Sequence, residues 1–294
     1  MPGMHRDRVK PSEKERRHSR FSWIFRIAAA ALFNGYVAGF VKGRIFTGKS
    51  KMVCVPVLNC YSCPGALGSC PIGALQAVIG GGTHKFSFYV LGTIMLFGTV
   101  LGRLVCGFLC PFGLVQDLLH KIPLKKIKVP KKIDKPLRYL KYAILIIFVL
   151  ILPAFATNAY GMGDPYFCKY ICPAGTLEGG VLLMILDKNL RALAGALFNW
   201  KAAILVFFLA GSVFINRFFC RYFCPLGALY ALFSKFALYR FEIDHSTCIG
   251  CKKCEHVCPM AVKVVETPNS AECIRCGKCK AACPTDSIKG KFLG

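Results

Sequence analysis

The chain has 294 residues, 55% of them hydrophobic, and a mean hydropathy of +0.49, too apolar for an ordinary soluble domain and long enough for several membrane spans. Its formal net charge of +25 does not point to nucleic acid, because the basic residues flank apolar runs as juxtamembrane residues do and no base-stacking or groove-reading module is present. Eighteen cysteines in tight, repeated spacings exclude a small secreted disulfide scaffold, which would not carry transmembrane runs.

Residues 1–20 are polar and basic, with Arg6, Arg8, Lys10, Lys14, Arg16, Arg17 and Arg20 against Asp7, Glu13 and Glu15, and read as a cytoplasmic tail. Residues 21–40 form the first expected span, in which Arg26 is placed to snorkel to the interface and Asn34 is a second polar interruption. A cleaved signal peptide ending at the alanine run 28–31 is the competing reading, but the apolar character continues past it without a processing site. Residues 42–85 are a glycine-rich loop carrying Cys54, Cys60, Cys63 and Cys70, and 86–105 form the second span. The connector 120–141 holds Lys121, Lys125, Lys126, Lys128, Lys131, Lys132, Lys135, Arg138 and Lys141, opposed only by Asp134, and is cytoplasmic by the positive-inside rule. Residues 142–160 and 201–219 are the third and fourth spans. The semi-polar stretch 177–197 between them lies in the interface or re-enters. Lys42, Arg44, Lys49, Lys51 and Lys85 also put positive charge on the presumed outer loop. His84 and His120 read as interfacial residues, not haem ligands.

One short pattern recurs along these runs. Arg103-Leu-Val-Cys106-Gly-Phe-Leu-Cys110-Pro111-Phe-Gly113 is echoed by Arg217-Phe-Phe-Cys220-Arg-Tyr-Phe-Cys224-Pro225-Leu-Gly227. Cys168-Lys-Tyr-Ile-Cys172-Pro173-Ala-Gly175 keeps the cysteines, proline and glycine but has Pro165 in place of the arginine, and Cys70-Pro71-Ile-Gly73 keeps only the second half. Cysteines four apart share one face of a helical turn, and the proline suits the first turn of the helix that follows. Each copy is therefore half of a four-thiolate site, for which an iron–sulfur cube is the expected occupant and zinc the alternative. The order span, motif, span, arginine-bearing motif then repeats, an internal duplication. It predicts an inner cube on Cys106, Cys110, Cys220 and Cys224, and an outer cube on Cys168, Cys172, Cys70 and one of Cys60 or Cys63. Cys54, Cys60, Cys63 and Cys70 holding a cluster among themselves is the other possibility. Arg103 and Arg217 stand near membrane depth, where charge is costly; they read either as cofactor-binding partners of an anionic cube or as snorkelling residues.

The tail is the most specific signal. Cys248-Ile-Gly-Cys251-Lys-Lys-Cys254-Glu-His-Val-Cys258-Pro259 is repeated as Cys273-Ile-Arg-Cys276-Gly-Lys-Cys279-Lys-Ala-Ala-Cys283-Pro284. In this two-cluster run the fourth cysteine of each repeat ligates the other cluster, which gives Cys248, Cys251, Cys254 and Cys283 to one cube and Cys273, Cys276, Cys279 and Cys258 to the other. The expected fold is mainly α, in three parts: a basic tail at 1–20, a polytopic helical membrane domain of about four spans at 21–240, and a small α+β ferredoxin domain at 241–294.

On these motifs the chain, from about residue 21 onward, resembles the NapH-like membrane ferredoxins, relatives of the electron-transfer portion of NosR-type and CcoG-type polyferredoxins. The departure is Cys60-Tyr-Ser-Cys63-Pro-Gly-Ala-Leu-Gly-Ser-Cys70, which is not a Cys-x3-Cys-Pro run. The resemblance implies an electron conduit in a prokaryotic inner membrane, with 4Fe-4S clusters in both domains and with redox proteins, or a quinone, as partners; the basic connector makes both termini cytoplasmic. Three readings of the work follow: a conduit subunit of a quinone-linked oxidoreductase, an autonomous copper or iron reductase, and a redox sensor. No Cys-x-x-Cys-His stands in the chain, so covalent haem is not expected.

Overall fold

A computed structural model describes residues 11–81, 87–127, 129–159, 161–186, 191–192 and 194–292. The first half of the basic tail, His84, Lys85, Phe86, Lys128 and Tyr160 lie outside them. The chain is mostly helical, and its described strands, Tyr239–Ile243 and Ile288–Phe292, pair antiparallel with Phe241 opposite Gly290. With the short helices Lys253–His256 and Lys278–Ala282 they make the compact α+β tail that its sequence predicts.

Two described helices are long and apolar enough to cross a membrane, Lys131–Phe155 and Ala196–Phe214. They answer to the third and fourth expected spans. The third begins earlier than its apolar run, because the end of the basic connector is wound into the same helix. Leu145–Ile151 within it is π-helical, a local widening that shifts the register of the side chains.

The first two expected spans look different. The N-terminal helix is Glu13–Phe33; a Ser12/Glu15 capping box and the acids of its first turn start it in polar chain. Arg26 does not snorkel: it is buried and ion-paired with Asp117. The helix packs on Lys278–Ala282 of the tail and on Pro111–Leu119. The second expected span shortens to Phe88–Val100, because Gly102 takes a positive φ of 57° and the chain turns there. A side chain at Gly102 would collide with Arg275, whose guanidinium bonds the Leu101 and Ser234 carbonyls at 2.9 and 2.8 Å.

Four short helices share one construction. Cys70, Cys110, Cys172 and Cys224 each stand at the N-cap, and Pro71, Pro111, Pro173 and Pro225 at the first helical position. Proline is tolerated there because that N–H has no intrahelical partner. The rigid start aims each capping cysteine inward from the helix end. These helices frame one buried core that includes Ile72, Phe112, Ala174 and Leu226.

Candidate iron–sulfur centres

The tail cysteines surround two small cavities of about 20 Å³ each. One is lined by Cys248, Cys251, Cys254 and Cys283, the other by Cys258, Cys273, Cys276 and Cys279. The exchange of the fourth cysteine between repeats is thus present in the geometry. Burial would push the Cys283 thiol up, but bonds from Thr285 and Ser287 hold it below its ordinary value, toward the thiolate that metal binding requires.

The upstream motifs pair across the duplication. Cys106, Cys110, Cys220 and Cys224 line one cavity of about 10 Å³, closed by Pro56, Val57, Leu58, Leu226 and Arg103. Cys60, Cys70, Cys168 and Cys172 line another, of about 1040 Å³. Leu58 borders both. Cys63 is not in the second wall: its thiol faces the Glu178 carbonyl at 3.3 Å. Cys54 is buried and lines neither cavity, with its backbone N–H on the Tyr89 hydroxyl at 3.1 Å. The glycine of each motif leaves room at the centre. A Cβ on Gly175 would come 3.1 Å from the Cys60 thiol, and one on Gly227 would come 3.2 Å from Arg103.

Among the described residues, no three His, Cys, Asp or Glu side chains converge where a single ion would sit. Four thiolates on one zinc ion must all approach it to about 2.3 Å. In each of the four cavities the thiols ring a shared space. The donor set is all thiol, the chemistry of iron–sulfur clusters. A second sign of fit is Arg103, which is 1% exposed; its Nε finds no partner among the described residues, and the side chain borders the inner cavity, where an anionic group would satisfy it.

Three buried carboxylates, which no motif signalled, organise the charge. Glu272 pairs with Arg103 at 3.0 Å and with Lys141. Asp117 pairs with Arg217 at 2.8 Å and with Arg26. Asp134 pairs with Arg138 at 2.7 Å and with Arg221, and accepts the Tyr222 hydroxyl at 2.6 Å. Burial alone would raise the Glu272 carboxyl, but Arg103 and Lys141 hold it below the usual carboxylate range. The Glu272 clamp joins the tail to the helical domain, within which the other two lie. Arg103 also bonds the Ala271 carbonyl at 2.8 Å, and Arg138 the Met260 carbonyl at 3.0 Å. Arg217 does not border the inner cavity; it grips the Cys106 carbonyl at 2.7 Å and fixes that residue's backbone. Both arginines are 1% exposed, so neither snorkels.

The tail abuts the inner cavity directly. A Cβ on Gly107 would meet the Ile274 carbonyl at 2.5 Å, and Cys106 packs against the cluster of Met260, Val262, Ile274 and Cys276. The four cavities therefore run in series from the Cys248 set, through the Cys273 set and the inner set, to the outer set.

Comparison with known proteins points to 4Fe-4S binding domains along the chain. A 4Fe-4S binding domain model matches residues 83–130, 142–188 and 202–243, and a 4Fe-4S dicluster domain model matches 240–284. An uncharacterized protein of Methanocaldococcus jannaschii is 32% identical over 69% of this chain and 78% of its own length. The methylamine utilization ferredoxin-type protein MauN of Paracoccus denitrificans is 27% identical over 81% of this chain and 75% of its own. The regulatory protein NosR of Stutzerimonas stutzeri is 27% identical over 58% of this chain, which spans only 21% of that longer protein. No solved structure matches the chain.

Proposed function

This chain belongs to the NapH- and NosR-like family of 4Fe-4S membrane ferredoxins, and from that premise we propose that it is a four-cluster electron conduit of a prokaryotic inner membrane. The observation that carries the reading is the series of four cavities, each lined by four cysteines. Cys248, Cys251, Cys254 and Cys283 hold the first cluster, and Cys258, Cys273, Cys276 and Cys279 the second. Cys106, Cys110, Cys220 and Cys224 hold the inner membrane cluster, and Cys60, Cys70, Cys168 and Cys172 the outer one. A bound 4Fe-4S cluster supplies storage for a single electron at a potential that the protein sets.

The residues around the thiols do the rest. Arg103 offsets negative charge at the inner site, Arg217 orients Cys106, and Glu272 locks the tail against the membrane domain. The basic connector favours a cytoplasmic position for both termini and the inner site, with the duplicated helices crossing as a multi-pass domain. The outer cavity has the volume and the mostly apolar lining of a site for a drug-sized organic molecule, which favours a quinone as the partner there and a place in a quinone-linked oxidoreductase.

The test is anaerobic purification with iron and sulfide quantification, followed by a redox titration read by electron paramagnetic resonance. Four cubes give about sixteen iron atoms per chain. A fully occupied preparation with about eight would remove the membrane clusters from the proposal.

A further inference from the structure

The whole sequence contains two glutamines, Gln76 and Gln116. Both stand six residues after the second cysteine of a Cys-Pro-x-Gly motif, and both side chains are 0% exposed. Each reaches across to the partner motif. The Gln116 amide nitrogen lies 3.0 Å from the Cys220 thiol, and that of Gln76 lies 3.2 Å from the Cys168 thiol. Each amide oxygen accepts the backbone N–H of the residue just before that cysteine, Phe219 at 3.1 Å and Phe167 at 3.0 Å.

That second bond settles which way the amide points. A backbone N–H can only donate, so the oxygen must face it and the NH₂ must face the sulfur. Full burial leaves no water to take over either bond. The same four-atom pattern therefore appears twice, on two different cavities.

We propose that Gln116 and Gln76 are twin positioning residues, each raising the potential of one membrane cluster through an N–H···S bond to the first cysteine of the opposite half-motif. A donor on a ligating sulfur stabilises the more negative, reduced cluster, and hydrogen bonds to the sulfurs are among the factors that set the potential. The inference rests on the cluster assignment above.

The test is a redox titration of the full chain, membrane-embedded and anaerobically loaded. Gln116→Leu is expected to shift the midpoint of the inner cluster to more negative potential, and Gln76→Leu that of the outer cluster. Each leaves the tail clusters unmoved, and the double variant shows both shifts, since separate sites add. Fully loaded variants with unchanged midpoints would overturn the proposal. Should a leucine variant fail to load, the unmodified protein decides. Glutamine labelled at its side-chain amide nitrogen, incorporated by cell-free translation, marks these two residues alone. Hyperfine coupling from the label to the reduced membrane clusters supports the N–H···S bonds, and its absence overturns them. An unmodified protein with no membrane-cluster signal at all would bring down the cluster assignment, and this inference with it.

Discussion

The inner and outer cavities are built on one plan and finished differently. Each takes a capping cysteine from one proline-started helix, a second from the helix of the partner motif, and a glutamine that crosses between the halves. Three residues before the first cysteine the plans part: Arg103 borders the inner cavity, while Pro165 borders the outer one. The inner site is then sealed by the Glu272 clamp and the docked tail and keeps about 10 Å³ free, whereas the outer site opens to about 1040 Å³. The repeated Cys-Pro-x-Gly residues set the cysteines of each cavity, and their flanks decide how much space those cysteines enclose.

The strongest test of this comparison is ligand removal. Cys110→Ala and Cys224→Ala are each expected to cost about four of about sixteen irons, and the pair together no more, because both serve the inner set. Cys172→Ala combined with Cys224→Ala should cost about eight, since independent sites add. Additive loss in the Cys110/Cys224 pair would show that the two cavities are wrongly divided. The outer set is sharpened by its odd member: Cys60→Ala should lose the outer cluster, and Cys63→Ala should keep it, both read by iron content and spectrum.

A smaller effect is expected at the seal. Glu272→Ala leaves Arg103 and Lys141 buried without their carboxylate, which costs about 3–5 kcal/mol by the usual penalty for breaking a buried pair. It should lower the thermal midpoint of the loaded protein, and an unchanged midpoint would show that the tail is held by other contacts. The smallest concerns the space itself. Leu183→Trp, in the wall of the outer cavity, should weaken binding of a quinone analogue about tenfold, or about 1.4 kcal/mol, with iron content unchanged. Undiminished binding would place the organic partner elsewhere.

What the sequence disclosed follows from the range of the interactions involved. The grouping of the tail cysteines around two cavities was legible because they lie in two short runs, and the four proline-started helices were legible because a cap is a local event. Pairing of Cys106 with Cys220 was legible only through the repeat, since no local rule joins residues so far apart. The spans were read less well. Arg26 looked like an interfacial residue because Asp117, its partner, stands in a different motif, and the break at Gly102 exists to admit Arg275 from the tail. Glu272, Asp117 and Asp134 carried no pattern at all, as a buried ion pair is defined by what the fold brings together. Gln76 and Gln116 did leave a trace, the same residue at the same offset in two motifs of a chain that has no other glutamine.

The stretch Pro56-Val57-Leu58 walls the inner cavity, and its last residue also walls the outer one. Val57 and Leu58 are 0% and 1% exposed, and the Pro56 carbonyl is taken by the Tyr230 hydroxyl at 3.1 Å. If the proposed clusters bind on both sides, Leu58 is the wall they share. The side chains of Pro56, Val57 and Leu58 are hydrocarbon, so they offer an electron a short apolar gap and a proton no titratable group.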